Sequence, residues 1–264
     1  MRLAVILTAA AAIAAAAACS TQNVPSERNF GVLNIKDTTN GGSGYKISPT
    51  GVFWVASNIS LPNSTVVPDS CIDTLYYPPD TTTRTITTGI DAGSPIQFAT
   101  STGTGSMTPD TIPGKLVLYK TVGTGVTHTP GTDVTFAIPG AAGGFEAVNV
   151  RAKTAALLSI GPVDPNPVDS IHLTWNLQTP GTTAVNFALL YMYNGSSKYN
   201  RQILCSFIDD GDGYVDKKTA AKWKASYPNQ TVQAYRWVTT FVTGSNNSLV
   251  EAISEFDTVK TVLP

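Results

Sequence analysis

The sequence predicts a mainly β protein, built as two antiparallel β-sandwich domains of the immunoglobulin-like kind. Turn-forming residues recur along the chain, for example at 78–80 (PPD), 129–131 (TPG) and 194–195 (NG). The short runs between such turns are rich in valine, threonine and aromatic residues. Some alternate apolar with polar residues, so that Ile171, Leu173 and Trp175 share one face. Short strands separated by regular turns are typical of sandwiches and barrels.

The individual elements follow from the same patterns. The predicted strands are 51–57, 115–120, 133–138, 147–152, 170–177, 185–193, 201–207 and 233–243. Residues 217–227 predict a helix, because they are good helix formers between a capping Asp216 and a terminating Pro228. The run 249–256 fits a helix or a strand. Trp54, Trp175 and Trp237 lie in predicted strands, and we expect them in the core.

The boundary between the domains is predicted at residues 161–167, which read GPVDPNP. Proline has no backbone N–H and cannot continue the interior of a sheet, so this run indicates a stiff linker. The predicted organisation is a signal segment at 1–18, a polar tether at 19–29, and β-sandwich domains at 30–160 and 161–264.

The first eighteen residues are typical of a secretory signal. Arg2 precedes an uncharged, alanine-rich run that ends in small residues. A transmembrane helix is the alternative, but the run is short and weakly apolar for a hydrocarbon core about 30 Å thick. We therefore expect export.

Cys19 follows directly on the alanines at 16–18, and this arrangement resembles the lipobox of bacterial lipoproteins. The resemblance implies that the Cys19 thiol carries diacylglycerol, although leucine is usual where Ala16 stands. Ordinary signal-peptidase cleavage is the alternative. Ser20 in place of an aspartate implies the outer membrane. The expected location is thus a bacterial cell envelope, with the membrane as a partner through the lipid.

Three cysteines are an odd number for an exported protein, and lipidation of Cys19 leaves Cys71 and Cys205. In an oxidising envelope these two would form a disulfide that ties distant parts of the chain together. Two separate buried thiols are the alternative. Sequence spacing alone does not choose between them.

Residues 209–216, DDGDGYVD, resemble a calcium loop of the EF-hand or dockerin kind. The ligands that the resemblance implies are Asp209, Asp210, Asp212, Tyr214 through its carbonyl, and Asp216. Calcium is the one cofactor that the sequence suggests. The pattern is incomplete, because Ile208 has no side-chain oxygen for the first ligand position and Thr219 stands where a bidentate glutamate belongs. A tight Asp-Gly turn without metal is the alternative.

Catalysis is not indicated by any motif. The two histidines, His128 and His172, occur without a G-x-S-x-G elbow or an H-E-x-x-H motif. A glycosidase needs two carboxylates at one sugar bond, whereas Glu251 and Glu255 read as solvated surface. A net charge of −1 without a basic run argues against nucleic acid. We expect no enzyme; a secreted carbohydrate-active or other hydrolytic protein with an unrecognised site is the alternative.

Tyr76, Tyr77 and Trp223 are the aromatic residues expected at the surface, as a platform for a sugar or a protein. The expected function is a non-catalytic, lipid-anchored envelope protein. It would act as a surface binding or adhesion module, or as an accessory subunit of an envelope assembly. An exposed aromatic row on a sheet face would favour a glycan partner, and an exposed apolar patch would favour a protein partner.

The second half of the chain also resembles a module of uncharacterised exported lipoproteins of environmental bacteria. The resemblance rests on the Trp175 strand, the Cys205 strand with Asp210 and Gly211 after it, and the strand at 235–242. The DAG sequence at 91–93 is similar to one upstream in such proteins. The resemblance implies two β-sandwich modules and no particular activity.

Overall fold

The protein is mainly β, as the sequence predicts. A computed structural model describes residues 27–39, 44–57, 69–76, 89–111, 117–177, 183–191, 200–223, 230–246 and 248–261. The first strands are β1 (Glu27–Thr39), β2 (Tyr45–Ile47), β3 (Thr50–Ser57), β4 (Ser70–Leu75), β5 (Ile96–Ala99), β6 (Thr104–Thr111), β7 (Val117–Thr121), β8 (Val126–His128), β9 (Asp133–Ile138) and β10 (Val148–Lys153). They are followed by β11 (Ile171–Thr174), β12 (Thr183–Tyr191), β13 (Arg201–Ile208), β14 (Asp212–Val215), the helical turn α1 (Lys217–Ala220), β15 (Thr231–Thr243) and β16 (Leu249–Thr261).

The predicted helix at 217–227 is shorter than expected. Asp216 caps α1 by accepting hydrogen bonds from the backbone N–H groups of Lys218 and Thr219, at 2.9 and 3.1 Å. After Ala220 the N–H groups of Lys222 and Trp223 bond three residues back, which tightens the chain and ends the α-helix. The ambiguous run 249–256 is strand, within β16.

Most strands belong to one continuous sheet. Its order is β10-β9-β5-β6-β7-β3-β1-β16-β15-β12-β13-β4, and β2 and β8 join at the side of β1. The first and last strands, β1 and β16, pair in parallel at the centre, whereas the other pairs are antiparallel. Strands β11 and β14 form a separate two-stranded sheet. Strand β10 packs against β15 and β16, so one end of the large sheet lies over its centre.

Two hydrophobic cores lie against this sheet. The first core contains Leu33, Phe53, Phe136 and other residues of β1 to β10. The second core is built around Trp175, Phe187, Phe207 and Trp223. Strand β16 contributes to both, because Val250 and Ala252 belong to the first core and Phe256 to the second.

The sheet passes across the predicted domain boundary. Residues 161–167 lie outside the strands, between β10 and β11, as the prolines indicate. However, β1 from the first half pairs with β16, and β4 pairs with β13. Each half of the sequence therefore supplies strands beside those of the other half.

The DAG sequence at 91–93 is a structural turn of the first core. The Oδ1 atom of Asp91 accepts hydrogen bonds from the Gly93 N–H (2.8 Å) and the Tyr119 hydroxyl (2.6 Å). Gly93 has a φ of +81°, and a Cβ there would lie 2.2 Å from the Gly140 carbonyl oxygen. Only glycine fits this position.

Candidate functional site

The predicted lipidation site Cys19 and most of the tether lie outside the described residues. So does Tyr77, one of the three predicted platform residues. In the part of the chain that the structure describes, no helix has the length and apolarity needed to span a membrane.

Cys71 and Cys205 are joined by a disulfide, with their sulfur atoms 2.10 Å apart. They face each other directly across the antiparallel pair of β4 and β13. Cys205 is buried in the second core, and Cys71 packs against it from the edge of the sheet. The bond fastens an edge strand from the first half of the chain to the second core.

The Asp-Gly segment does not gather its carboxylates around one point. Asp209 is buried, with Oδ2 lying 2.8 Å from Nε of the buried Arg236. Its Oδ1 accepts hydrogen bonds from Arg236 Nη2 at 3.0 Å and from the Trp175 indole N–H at 2.9 Å. Asp209 is therefore the buried ion-pair partner of Arg236.

The remaining predicted ligands have separate roles. Asp210 accepts a hydrogen bond from the backbone N–H of Asp212 (3.2 Å), which closes the turn. Asp212 pairs with His172, whose ring stacks on the exposed Tyr214. Asp216 caps α1, where contacts with Thr219 lower the pKa of its carboxyl.

The calcium prediction gains no support from these separate roles. Within the described residues, no three His, Cys, Asp or Glu side chains are placed to hold a metal ion. The segment forms the tight turn that was the alternative interpretation, with Gly211 at a φ of +94°.

The predicted platform is corrected. Trp223 is only 1% exposed, packs edge-on against Tyr191, and donates its indole N–H to the Asp164 carbonyl at 3.1 Å. It belongs to the second core. Tyr76 is half-buried at the end of β4, where its N–H bonds to the Asn200 carbonyl at 3.1 Å. The structure therefore does not assemble the expected platform.

A different aromatic surface lies on β15. Tyr235, Trp237 and Phe241 alternate with the core-facing residues of this strand, so they occupy its outer face. We call these three residues the aromatic row. Trp237 is 43% exposed and Phe241 47%, although Trp237 is predicted to be core. Tyr235 is half-buried, and its hydroxyl donates to Gln233 Oε1 at 2.6 Å.

Polar groups flank the aromatic row on the neighbouring strand. Glu255 of β16 pairs with Trp237, and Glu251 pairs with Phe241. Glu255 also lies 3.7 Å from Lys36 Nζ of β1. Glu251 is buried, and this burial raises the pKa of its carboxyl.

The other histidine, His128, forms a buried polar pair with Asp37. Its Nε2 lies 3.6 Å from Asp37 Oδ1 and 2.9 Å from the Thr154 hydroxyl. Because that hydroxyl donates to the Thr132 carbonyl, Nε2 must be the donor to Thr154. Burial raises the pKa of Asp37 to about 7 and lowers that of His128 to about 4. Both side chains are fully enclosed.

No family model and no curated protein matches the sequence. Among solved structures, the chain is similar to the crystal structure of a DUF4785 family protein from Legionella pneumophila subsp. pneumophila str. Philadelphia 1. The identity is 8% and the TM-score is 0.25; the match covers 82% of this chain and 53% of that protein. The chain thus spans about half the length of this neighbour. The neighbour is an uncharacterised bacterial protein, and the likeness assigns neither family nor function.

Proposed function

We propose that the chain is a non-catalytic, lipid-anchored binding module of a bacterial cell envelope, and that it holds glycans on the aromatic row. The observation that carries this proposal is the exposure of Trp237 and Phe241 on one face of β15. Large aromatic side chains in strands are normally packed, so two exposed on the same face are a candidate contact surface.

The chemistry of the surroundings favours a sugar over an apolar protein surface. A pyranose ring presents C–H groups to an aromatic ring while its hydroxyls point sideways. Trp237 has Ala184 of β12 on one side and Glu255 of β16 on the other. The small alanine leaves one side of the indole clear, and the carboxylate accepts hydrogen bonds from hydroxyl groups.

Binding is favoured over hydrolysis by the spacing of the carboxylates. Glu251 and Glu255 are four residues apart on one strand, so their Cα atoms lie roughly 13 Å apart. Glycosidases place their two carboxyl groups roughly 5 to 9.5 Å apart. Glu255 is already ion-paired with Lys36, and Glu251 is buried. This arrangement supports a site that holds a glycan without cleaving it.

We also propose the finer architecture that the sequence suggests. The two cores would correspond to two sandwich-like, immunoglobulin-like units that are fused through the long strands β15 and β16. Cys19 would attach the body to the outer membrane through its lipid. Mass spectrometry of the native N-terminus tests the anchor: an unmodified cysteine or a cleavage elsewhere would contradict it.

The glycan proposal is tested by affinity electrophoresis of the detergent-solubilised, full-length protein in gels that contain xylan, mixed-linkage β-glucan or soluble chitosan. We expect retardation by at least one of these polysaccharides. Trp237→Ala should weaken the apparent affinity about tenfold or more, the scale of a binding hot spot.

The matched control is Tyr214→Ala, which removes another exposed aromatic ring, on the separate β11–β14 sheet. It should retain wild-type retardation. Equal losses in the two variants would refute a role for the aromatic row. Recovery of a stoichiometric protein partner from native membranes, with no retardation by any polysaccharide, would replace the proposal by an assembly subunit.

A further inference from the structure

A polar cleft opens at the end of the second core, away from the aromatic row. Its lining residues come from three strands and the segment after α1: Asp73 of β4, Tyr191 of β12, Arg201 of β13 and Lys222. We call these four residues the polar cleft. The three strands end side by side because β12 pairs with β13 and β13 with β4.

The floor of the polar cleft is a fixed network. The Tyr191 hydroxyl donates to Asp73 Oδ1 at 2.6 Å, and Arg201 Nη2 donates to Asp73 Oδ2. Tyr191 is itself only 1% exposed, and its ring is held by Trp223. Burial, and then the contact with Asp73, raises the pKa of Tyr191, so its proton stays in place. The disulfide at Cys71 lies two residues from Asp73 and holds β4 in position.

The charges of the polar cleft do not balance. Among the lining residues that the structure describes, Arg201 and Lys222 are cations and Asp73 is the one anion. These described residues therefore carry a formal excess of one positive charge. A guanidinium and an ammonium around a pocket are suited to a planar anion. A dianion such as phosphate would exceed the excess charge and meet the Asp73 carboxylate.

The size of the cleft limits the ligand. Its volume is about 190 Å³. A protein cavity of about 150 Å³ holds a benzene ring, so this cleft admits a six-membered ring with one small substituent. The polar lining favours a hydroxylated ring over an aromatic one. We propose that the polar cleft binds a ring-sized monocarboxylate of the sugar-acid class, either free or as an end unit of an acidic polysaccharide.

The proposal is tested by isothermal titration of the full-length protein with sodium glucuronate. Glucose serves as the uncharged ring, and inorganic phosphate as the dianion. We expect saturable, weak binding of glucuronate that declines as salt is raised, because the attraction is partly screened. Lys222→Gln should lower this affinity about three- to tenfold.

Lys218→Gln is the matched control, since it removes the same charge from α1 outside the cleft. It should bind glucuronate like the wild type, and Trp237→Ala should do so as well, which separates this site from the aromatic row. The proposal is overturned if glucuronate shows no saturable binding, if glucose or phosphate binds equally well, or if Lys222→Gln and Lys218→Gln behave alike. A methyl ester of glucuronate that binds like the acid would also overturn it.

Discussion

Replacement of Arg236 by methionine is expected to cost a large part of the stability of the protein. The side chain is fully buried, is ion-paired with Asp209, and donates to the carbonyls of Leu157 (2.6 Å) and Asn176. Arg236→Met leaves the Asp209 carboxylate buried without its cation, while the Trp175 indole N–H still donates to Oδ1. Breaking one side of a buried ion pair costs about 3–5 kcal/mol. The partly buried carbonyls add about 1 kcal/mol, so we expect a loss of about 4–6 kcal/mol.

The assay is equilibrium unfolding in urea, followed by tryptophan fluorescence. Domains are stable by about 5–15 kcal/mol in total, so the midpoint should fall steeply, with an unchanged slope. Arg236→Lys keeps the charge but not the fork of donors, and it provides a milder variant if the methionine form does not fold. Arg151→Met is the control, because Arg151 pairs with Asp133 at the surface and should lose about 0–1 kcal/mol. Equal midpoints for the Arg236 and Arg151 variants would refute the argument.

Two further predictions concern the disulfide and the buried acid. Cys71→Ala combined with Cys205→Ala should lower the unfolding free energy by about 2–5 kcal/mol, measured in urea without reductant; an unchanged midpoint would show that the bond carries no stability. Asp37 has a pKa of about 7 in the folded chain, against 3.8 ordinarily, so the folded state binds more protons than the unfolded state between these values. The contribution of protonated Asp37 to the stability of the folded state is present at low pH and is lost as pH rises through 7. Asp37→Asn should therefore gain stability relative to the wild type from pH 4 to pH 7. His128 has the opposite dependence. Its pKa is lowered in the folded state, so the unfolded state binds more protons between pH 6.5 and 4, and the stability of the fold decreases on acidification through this range. Melting temperatures at pH 5 and 7.5 test this: a constant difference between variant and wild type would contradict it.

Local patterns were sufficient to predict a mainly β chain and eight of the sixteen described strands. The run 171–175 alternates as expected, and Ile171, Leu173 and Trp175 are buried together. The prolines at 161–167 correctly interrupt the sheet. What local patterns could not provide was strand order. The pairing of β1 with β16 joins the two ends of the described chain, and no short-range signal specifies a contact at that separation.

The aromatic row shows why the prediction that Trp237 lies in the core was wrong. Alternation along β15 separates Tyr235, Trp237 and Phe241 from Ala234, Arg236 and Val238. Hydrophobicity alone would bury the aromatic set, since arginine is rarely fully buried unless it is paired. The partner that allows Arg236 inside is Asp209, which lies in a turn 27 positions away. Which face of β15 packs into the core therefore depends on a long-range ion pair. The exposure of Trp237, on the opposite face, depends on the same pair.

The same ion pair connects the two halves of the chain at the linker. Arg236 holds the carbonyl of Leu157, just before residues 161–167, and that of Asn176, just after β11. Strand β15 gives Val232 and Val238 to the second core, while its Val242 packs against the first core. Loss of the arginine should therefore destabilise both cores together. The unfolding curve should move to lower urea concentration and remain a single transition. A biphasic curve for Arg236→Lys, with half the signal unmoved, would mean that the cores unfold independently and that residues 161–167 divide two folding units despite the continuous sheet.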